Sequence, residues 1–445
     1  MKRITIIFFY LLWVMQLCAQ HKPSVWTLKQ CIHYAIQNNV KLKQIELSKE
    51  NQAVNLNTSK NSWLPSINAT IGQNMDVGRS PSKDGTIKDQ SSSNSSFYLQ
   101  ASMPLFEGFK IINEIKAQGW NVLVAIEQLN KAKDDVSVNV FTYYMQVLFK
   151  RELEKIAQEQ VQLCLNQLRR TEILVESGKI AKAQLYDMEA QLEKDKVTLV
   201  NAENDVSLAL LDLMQAMNLE IEERAFDIVA PEAEDMIHKY IENLVLPNKI
   251  YDEAVSFRPQ IKAQEYLLES KRYTLDVAKS GFYPRLSLNA SYNNYYYRYT
   301  DYENISFSDQ WNQNARKTIG LTLSIPLFNR FQVRNSVRSA KIAVTNQKLE
   351  IEDARQTLYK EIRQAYANAL AAQNVYMASK ASITSSTKAY QYATESHDAG
   401  RISAFEYNEA KTKYIQSLSE QKRALYDFIF RCKILDFYYG TPISL

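Results

Sequence analysis

Pro104-Leu105-Phe106 recurs as Pro326-Leu327-Phe328, 222 residues further along the chain. Behind the first copy, Ile111, Asn113 and Ile115 find Val333, Asn335 and Val337 at the same offset. Gly178, in Glu-Ser-Gly-Lys-Ile, finds Gly400, in Asp-Ala-Gly-Arg-Ile. Upstream of Pro104 the offset is 219, with Ala35 matching Ala254 and Pro65 matching Pro284. A slip of three residues is what a loop-length difference produces. Solenoid units repeat every 20–50 residues or so, so this chain is a duplicated half and not an array.

Glycine and proline number ten each in 445 residues, which favours long regular elements over loops. Neither occurs between Gly119 and Gly178, between Gly178 and Pro231, from Leu327 to Ala399, or from Arg401 to Tyr439. These stretches predict four long helices, paired as two hairpins bent at Gly178 and Gly400. The stretch from Asn329 to Asp398 would reach roughly 100 Å at 1.5 Å per residue. After Gly178, Leu185, Met188, Leu192, Leu199, Ala202, Val206, Ala209, Leu213 and Ala216 follow a three-four alternation broken only by Asp195. That spacing packs helices side by side. The seam after Gly400 is looser: Tyr407, Ala410, Tyr414, Leu418, Leu425 and Ile429. Glu220 to Pro247 is acidic and lacks heptads, and reads as a connection.

Between these landmarks the period changes to two. Ile67, Ala69 and Ile71 alternate with Ser66, Asn68 and Thr70, and Leu99, Ala101 and Met103 with Tyr98, Gln100 and Ser102. In the second half Leu286, Leu288 and Ala290 alternate with Ser287, Asn289 and Ser291, and Ile319, Leu321, Leu323 and Ile325 with Thr318, Gly320, Thr322 and Ser324. Each pair of strands predicts a hairpin, with long polar loops at Asp76–Asn94 and around Tyr295–Asn314. Trp63, Phe106, Phe282, Tyr283 and Phe328 cluster at one end of the strands, and Tyr295, Tyr296, Tyr297 and Phe97 towards the other. Aromatics at both ends, with one apolar and one small polar face, point to a transmembrane barrel over a half-buried soluble sheet. Four strands cannot close a barrel, the smallest using about eight, and an open edge in lipid leaves backbone groups unpaired. The chain is therefore expected to oligomerise.

Net charge is +4, without a basic cluster carrying interleaved aromatics, so nucleic acid is not an expected partner. Lys2 and Arg3 precede the apolar run Ile4–Met15 and a small residue, Ala19, which reads as a secretory signal peptide. Cys18 leaves lipid anchoring as an alternative, against which stands the lack of small residues before it. Cys31, Cys164 and Cys432 are too scattered for a disulfide framework. The histidines at 21, 33, 238 and 397 show no zinc spacing, and no phosphate loop or nucleophile motif is present. No metal, cofactor or catalytic residue is expected, and no enzymatic activity.

The expected division is a signal peptide at 1–19, a first repeat at 20–219, a connecting segment at 220–248, a second repeat at 249–440 and a tail at 441–445. Each repeat is expected to run helix, β-hairpin (about 63–107 and 283–328), then long helical hairpin.

In order, duplication and spacing, these features resemble the TolC-like outer-membrane efflux proteins. The resemblance covers essentially the whole mature chain. It rests on Trp26-Thr27-Leu28 with Ala35 and Asn38-Asn39, on Pro-Leu-Phe at both strand-to-helix junctions, and on the Gly-Lys-Ile and Gly-Arg-Ile bends. It implies a fold that is mostly α with a transmembrane β part: a homotrimer whose four strands per protomer form a roughly 12-stranded β-barrel, continuing into a long periplasmic α-helical barrel. It implies a passive outer-membrane exit duct for drugs, metals or polypeptides. Its tip would meet a periplasmic adaptor protein linked to an inner-membrane pump; tripartite efflux and type I secretion both fit. A periplasmic coiled-coil scaffold or adaptor without a barrel is the alternative, and it leaves the alternating strands without a purpose.

The resemblance also places a constriction just after the second bend, on Glu406 and Glu409, which share a helix face. Rings of such acids would draw in cations, and the two carboxylates are expected to raise one another's pKa. The family's tyrosine before that bend corresponds to His397 and its arginine two after it to Ile402. Its acid after the first bend corresponds to Gln184, with Asp187 one turn on. Pro65, Pro104, Pro284 and Pro326 are expected at the barrel–helix junctions.

Overall fold

A computed structural model of the protein describes residues 25–81, 85–219, 226–230, 237, 240–241, 244–300 and 303–444. The expected signal peptide, Cys18, His21, His238 and most of the 220–248 segment lie outside the described residues.

In chain order the elements are β1 (Val25–Trp26), α1 (Leu28–Asn38), α2 (Val40–Asn61), β2 (Ser66–Pro81), β3 (Ile87–Phe106), α3 (Lys110–Glu176), α4 (Lys182–Met217), β4 (Asp227–Ile228), α5 (Pro247–Phe257), α6 (Pro259–Ser280), β5 (Arg285–Tyr299), α7 (Phe307–Gln313), β6 (Arg316–Ser324), α8 (Gln332–Asp398) and α9 (Ala404–Tyr438). They form two compact units. One comprises Met1–Glu46, Leu129–Ile261 and Arg355–Leu445, the other Leu47–Gln128 and Lys262–Ala354. Each unit draws on both halves of the duplicated sequence, so neither repeat is a compact body alone.

The duplication extends to backbone detail. Where the sequence predicts one helix at the head of each repeat, the chain makes two, α1–α2 and α5–α6. The break falls on Asn39 and Arg258, 219 residues apart and both extended (ψ 122° and 127°). Their N–H groups donate to Ala35 and Ala254, two fully buried alanines. The causes differ. Arg258 precedes Pro259, whose ring disfavours helical backbone at the residue before it. Asn39 uses its side chain, which accepts the Leu42 N–H at 3.1 Å and starts the next helix. Thr27 caps α1 in a reciprocal box with Gln30, which explains the Trp-Thr-Leu opening.

α3 and α8 are 67 residues each, about 100 Å at 1.5 Å per residue. The core of the first unit packs Trp26, Cys31, Phe141, Tyr144, Leu213, Met217, Tyr376, Phe428 and Cys432. The two-strand parallel pairing of β1 with β4 lies in this core. Tyr144 clamps that pairing by donating to the Val229 carbonyl at 2.6 Å, and Arg151 donates to Ile228 O at 2.9 Å while pairing with Asp227. Cys31, Cys164 and Cys432 are free and buried, and burial pushes the Cys31 and Cys432 thiols up to about 12.

In the second unit the strands form an antiparallel sheet in the order β2-β3-β5-β6. Directly paired residues share a face, so the register assigns both sides. Ile67, Ala101, Ala290 and Ile319 stand in one row, and Ala69, Leu99, Tyr292 and Lys317 in the next. Along β2 and β6 the apolar face is bare: Ile71 is 75% exposed and Leu321 65%. The other face carries a polar network in which Ser102 donates to Asn289 (2.9 Å) and Asn289 donates to Thr322 (3.0 Å).

The expected loop Asp76–Asn94 is mostly strand, since pairing continues from Asp76↔Ser92 to Pro81↔Ile87. Serine and glycine weaken the side-chain pattern without interrupting the backbone ladder. Likewise β5 runs to Tyr299, whereas β6 begins only at Arg316, opposite Asn293. The overhanging edge of β5 is closed by carboxamides from the connecting segment. Gln310 accepts from Tyr297 N (2.9 Å) and donates to Tyr297 O (2.8 Å). Asn304 does both for Tyr299, and Asn314 donates to Tyr295 O. These side chains replace the missing strand and keep the edge from pairing elsewhere. The outer aromatics also divide: Phe97 and Tyr296 belong to the apolar face, Tyr295 and Tyr297 to the polar one.

At the strand-to-helix junctions two consecutive residues adopt left-handed backbone in both copies, Gly108-Phe109 (φ 61° and 66°) and Arg330-Phe331 (φ 53° and 61°). A Cβ at Gly108 would lie 2.8 Å from the Ser280 carbonyl, so glycine is required there for room as well as for φ. Pro65 and Pro284 immediately precede β2 and β5. Pro104 sits in β3 beside a register shift between Pro104 and Phe106, the kind of site where a central strand tolerates proline. Pro326 lies just past the end of β6.

Candidate functional site at the helix bends

Both bends end their helices in the same way. Gly178 and Gly400 have φ +69°, with nothing within 4 Å of a would-be Cβ, so conformation and not space selects glycine. Lys179 N–H returns to Leu174 O (2.9 Å) and Gly178 N–H to Val175 O (3.0 Å). Arg401 N–H returns to Ser396 O (2.8 Å) and Gly400 N–H to His397 O (3.0 Å). The last carbonyls of α3 and α8 are thereby satisfied.

The restarts differ. The N-cap residue of α4 is Ala181, which offers no side-chain cap. That of α9 is Ser403, whose hydroxyl accepts the Glu406 N–H (3.2 Å) while the Glu406 carboxylate accepts Ser403 N–H (2.8 Å) and Oγ–H (2.9 Å). These bonds hold the Glu406 carboxyl below the usual carboxylate range. Mutual elevation with Glu409 was the expectation; the serine cap decides instead, and Glu409 is engaged by Lys413 at 2.8 Å. Glu406 and Glu409 do line one groove, about 560 Å³, with Ser382, Ser385, Ser386 and Ser417. Gln184 and Asp187 are exposed on the first turns of α4, outside that groove.

Two linkages tie the hairpins together that the sequence pattern did not reveal. Arg170 pairs with Asp398 at 2.5 Å across the bends. Beside it His397 lies 3.4 Å from Gln167 and stacks on Tyr407 (4.9 Å), which meets Tyr390 at 3.2 Å between hydroxyls. Deeper in, Asp195 is 2% exposed and Lys411 6% exposed, paired at 3.3 Å between α4 and α9. Gln160 of α3 and Gln191 each donate to Asp195 at 2.7 Å. Asp195 is therefore part of the seam and not a break in it. The readable signal was a second charge, Lys411, four residues after Tyr407 in the partner seam.

Burial lowers the His397 pKa, with Asp398 opposing, so the neutral ring is favoured in the fold. An unfolded or opened tip binds the proton more readily. The contribution is intact above the ordinary imidazole value of about 6.5 and is lost as pH falls below it. Protection factors of the amides at 397–407, exchange rates corrected for their intrinsic pH dependence, should therefore fall between neutral and mildly acidic pH. His397→Gln should flatten that dependence; an equally steep profile in the variant would assign the effect to other groups.

The sequence profile described as "Outer membrane efflux protein" matches residues 31–219 and 250–429. The chain is similar to outer membrane efflux protein BepC of Brucella suis biovar 1, 20% identical over 379 residues, spanning 84% of this chain and 76% of BepC. It is also similar to the proteases secretion protein PrtF of Dickeya chrysanthemi, 20% identical over 341 residues, spanning 75% and 70%. Among solved structures a CusC structure superposes with a TM-score of 0.73 over 95% of each chain at 16% identity, a likeness of fold. With the profile spanning most of both repeats, the chain belongs to the outer membrane efflux protein family.

Proposed function

We propose that three copies of this chain form one passive duct, with repeats at 20–219 and 249–440, carrying small molecules or polypeptides out across the outer membrane. The family and fold are those of channels rather than enzymes, and they favour this reading over a scaffold without a barrel. The observation that carries it is the sheet. Its apolar face is bare along β2 and β6, its opposite face is polar, and these edge strands have no partner within the described residues of the chain. In lipid such edges must be paired, and three copies supply about twelve strands. The mass of the protein in detergent tests this: three chains are expected, and a detergent-free monomer would overturn it.

The bends form the periplasmic end of the duct, where an adaptor protein linked to an inner-membrane pump docks. Among the relatives, BepC is named for efflux and PrtF for protease secretion, so both small-molecule and polypeptide cargo are consistent with the family. At that end Glu406 and Glu409 line the constriction, with Gln184 and Asp187 on the neighbouring hairpin and Gly178 and Gly400 setting the turns. Because Glu406 also caps α9, glutamine is the informative replacement, as it keeps the capping geometry. Glu406→Gln/Glu409→Gln trimers should lose cation preference in reversal-potential measurements without losing conductance. Unchanged selectivity would remove both acids from the constriction.

A further inference from the structure

The segment between β5 and β6 does more than close an edge. α7 lies on the apolar face of the sheet. Trp311 packs edge-on against Phe97 (4.9 Å) and near Tyr292 (6.4 Å), and Phe307 packs against Tyr296 (5.2 Å) and Trp311 (5.6 Å). Phe97, Tyr292 and Tyr296 all belong to the face that carries Ile71, Ala290 and Ile319. Asn294, on the same face and fully buried, donates to the Trp311 carbonyl at 2.8 Å and fixes the helix there.

The apolar band explains why a helix belongs at this place. On β2 it runs from Ile67 to Val77, interrupted by Gln73, whereas on β6 it stops at Ile319, because Lys317 stands opposite Tyr292. Beyond that point the position of β6 is taken by the carboxamides of Asn304, Gln310 and Asn314, and α7 supplies the apolar cover. Phe307 is 52% exposed and Ile305 48%, so much of each side chain is left uncovered by the described residues. Tyrosine and tryptophan with one wet and one apolar side suit the headgroup–acyl boundary.

We propose that α7 is a lipid-facing helix seated in the outer leaflet, anchoring the outer rim of the sheet through Phe307, Trp311 and Ile305. The occupant of this surface is membrane lipid, argued from continuity with the bare apolar face and from the aromatic cluster on it. The proposal rests on the outer-membrane reading of the sheet, and the experiment separates the two.

Full-length protein carrying Trp13→Phe, Trp63→Phe and Trp120→Phe is reconstituted in phosphatidylcholine vesicles whose acyl chains are brominated near the headgroup or near the chain end. The Trp311 signal is the difference between this protein and its Trp311→Phe derivative; Trp26, buried in the first unit's core, is the unquenched reference. A matched protein with Ile71→Trp, on the same face of β2, reports whether the sheet is in lipid at all. Loss of Trp311 emission with shallow bromines, exceeding that with deep ones, is the expected result. Quenching at position 71 without quenching of Trp311 would overturn the proposal and place α7 against another copy or over the pore mouth. Stronger quenching of Trp311 by deep bromines would overturn the interfacial seat. No quenching at either position would overturn the outer-membrane reading itself.

Discussion

Lys411→Met should destabilise the protein by about 3–5 kcal/mol, because it leaves a buried carboxylate without its counter-ion. Asp195 is held by Lys411, Gln160 and Gln191, drawn from three helices, and none of its charge reaches solvent. The apparent melting temperature in detergent should drop well below that of the parent chain. The double variant Asp195→Leu/Lys411→Met removes both charges and should recover most of the loss, since an apolar seam matches its neighbours Met188, Leu192 and Val206. The two glutamine amides would each forgo one bond, on the order of 1 kcal/mol. A single variant as stable as the parent would mean that water reaches the pair. A double variant as unstable as the single would mean that the cluster specifies the register of α4 against α9 as well as stabilising it.

Leu321→Arg should nearly abolish assembly in the outer membrane. Leu321 stands bare on the apolar face, opposite Leu288 and between Ile319 and Leu323. An arginine near the middle of such a face costs about 2–4 kcal/mol in each chain, and symmetry would repeat the cost in every protomer. Thr318→Arg, three residues away on the polar face, should insert and assemble, because arginine there meets water. The outer-membrane content of trimer for the two variants is the readout. Equal tolerance of both would fit a half-buried soluble sheet and contradict a barrel.

The long elements were legible because their signals are backbone requirements. Only glycine takes φ +69° at no cost, so Gly178 and Gly400 mark the bends, and the scarcity of breakers gives the helix lengths. Strand faces were legible where large and small residues alternate, as at Ile319–Leu323. Where serine fills both faces, as in residues 91–96, the pattern vanished although the hydrogen-bond ladder continued. The breaks at Asn39 and Arg258 carry local signals, a capping asparagine and a following proline; the first enters the sequence reading only within the Asn38-Asn39 motif, and the second does not enter it. The ties at the bends were hidden for another reason. Arg170 with Asp398, and Asp195 with Lys411, are separated by more than 200 residues, and each member alone is an ordinary charge on a helix. Capping likewise turned Glu406 from a free acid into a helix start, which spacing from Gly400 does not indicate.

Single-channel recording in a planar bilayer tests the central claim most directly. Purified trimer should insert and give discrete, long-lived conductance steps without any nucleotide or other energy source, as a passive duct requires. Leu321→Arg protein at the same concentration should give few or none. A trimer that shows no conductance, whether as the parent protein or as the Arg170→Ala variant that removes the tie across the bends, would contradict a duct that opens through the helical tip.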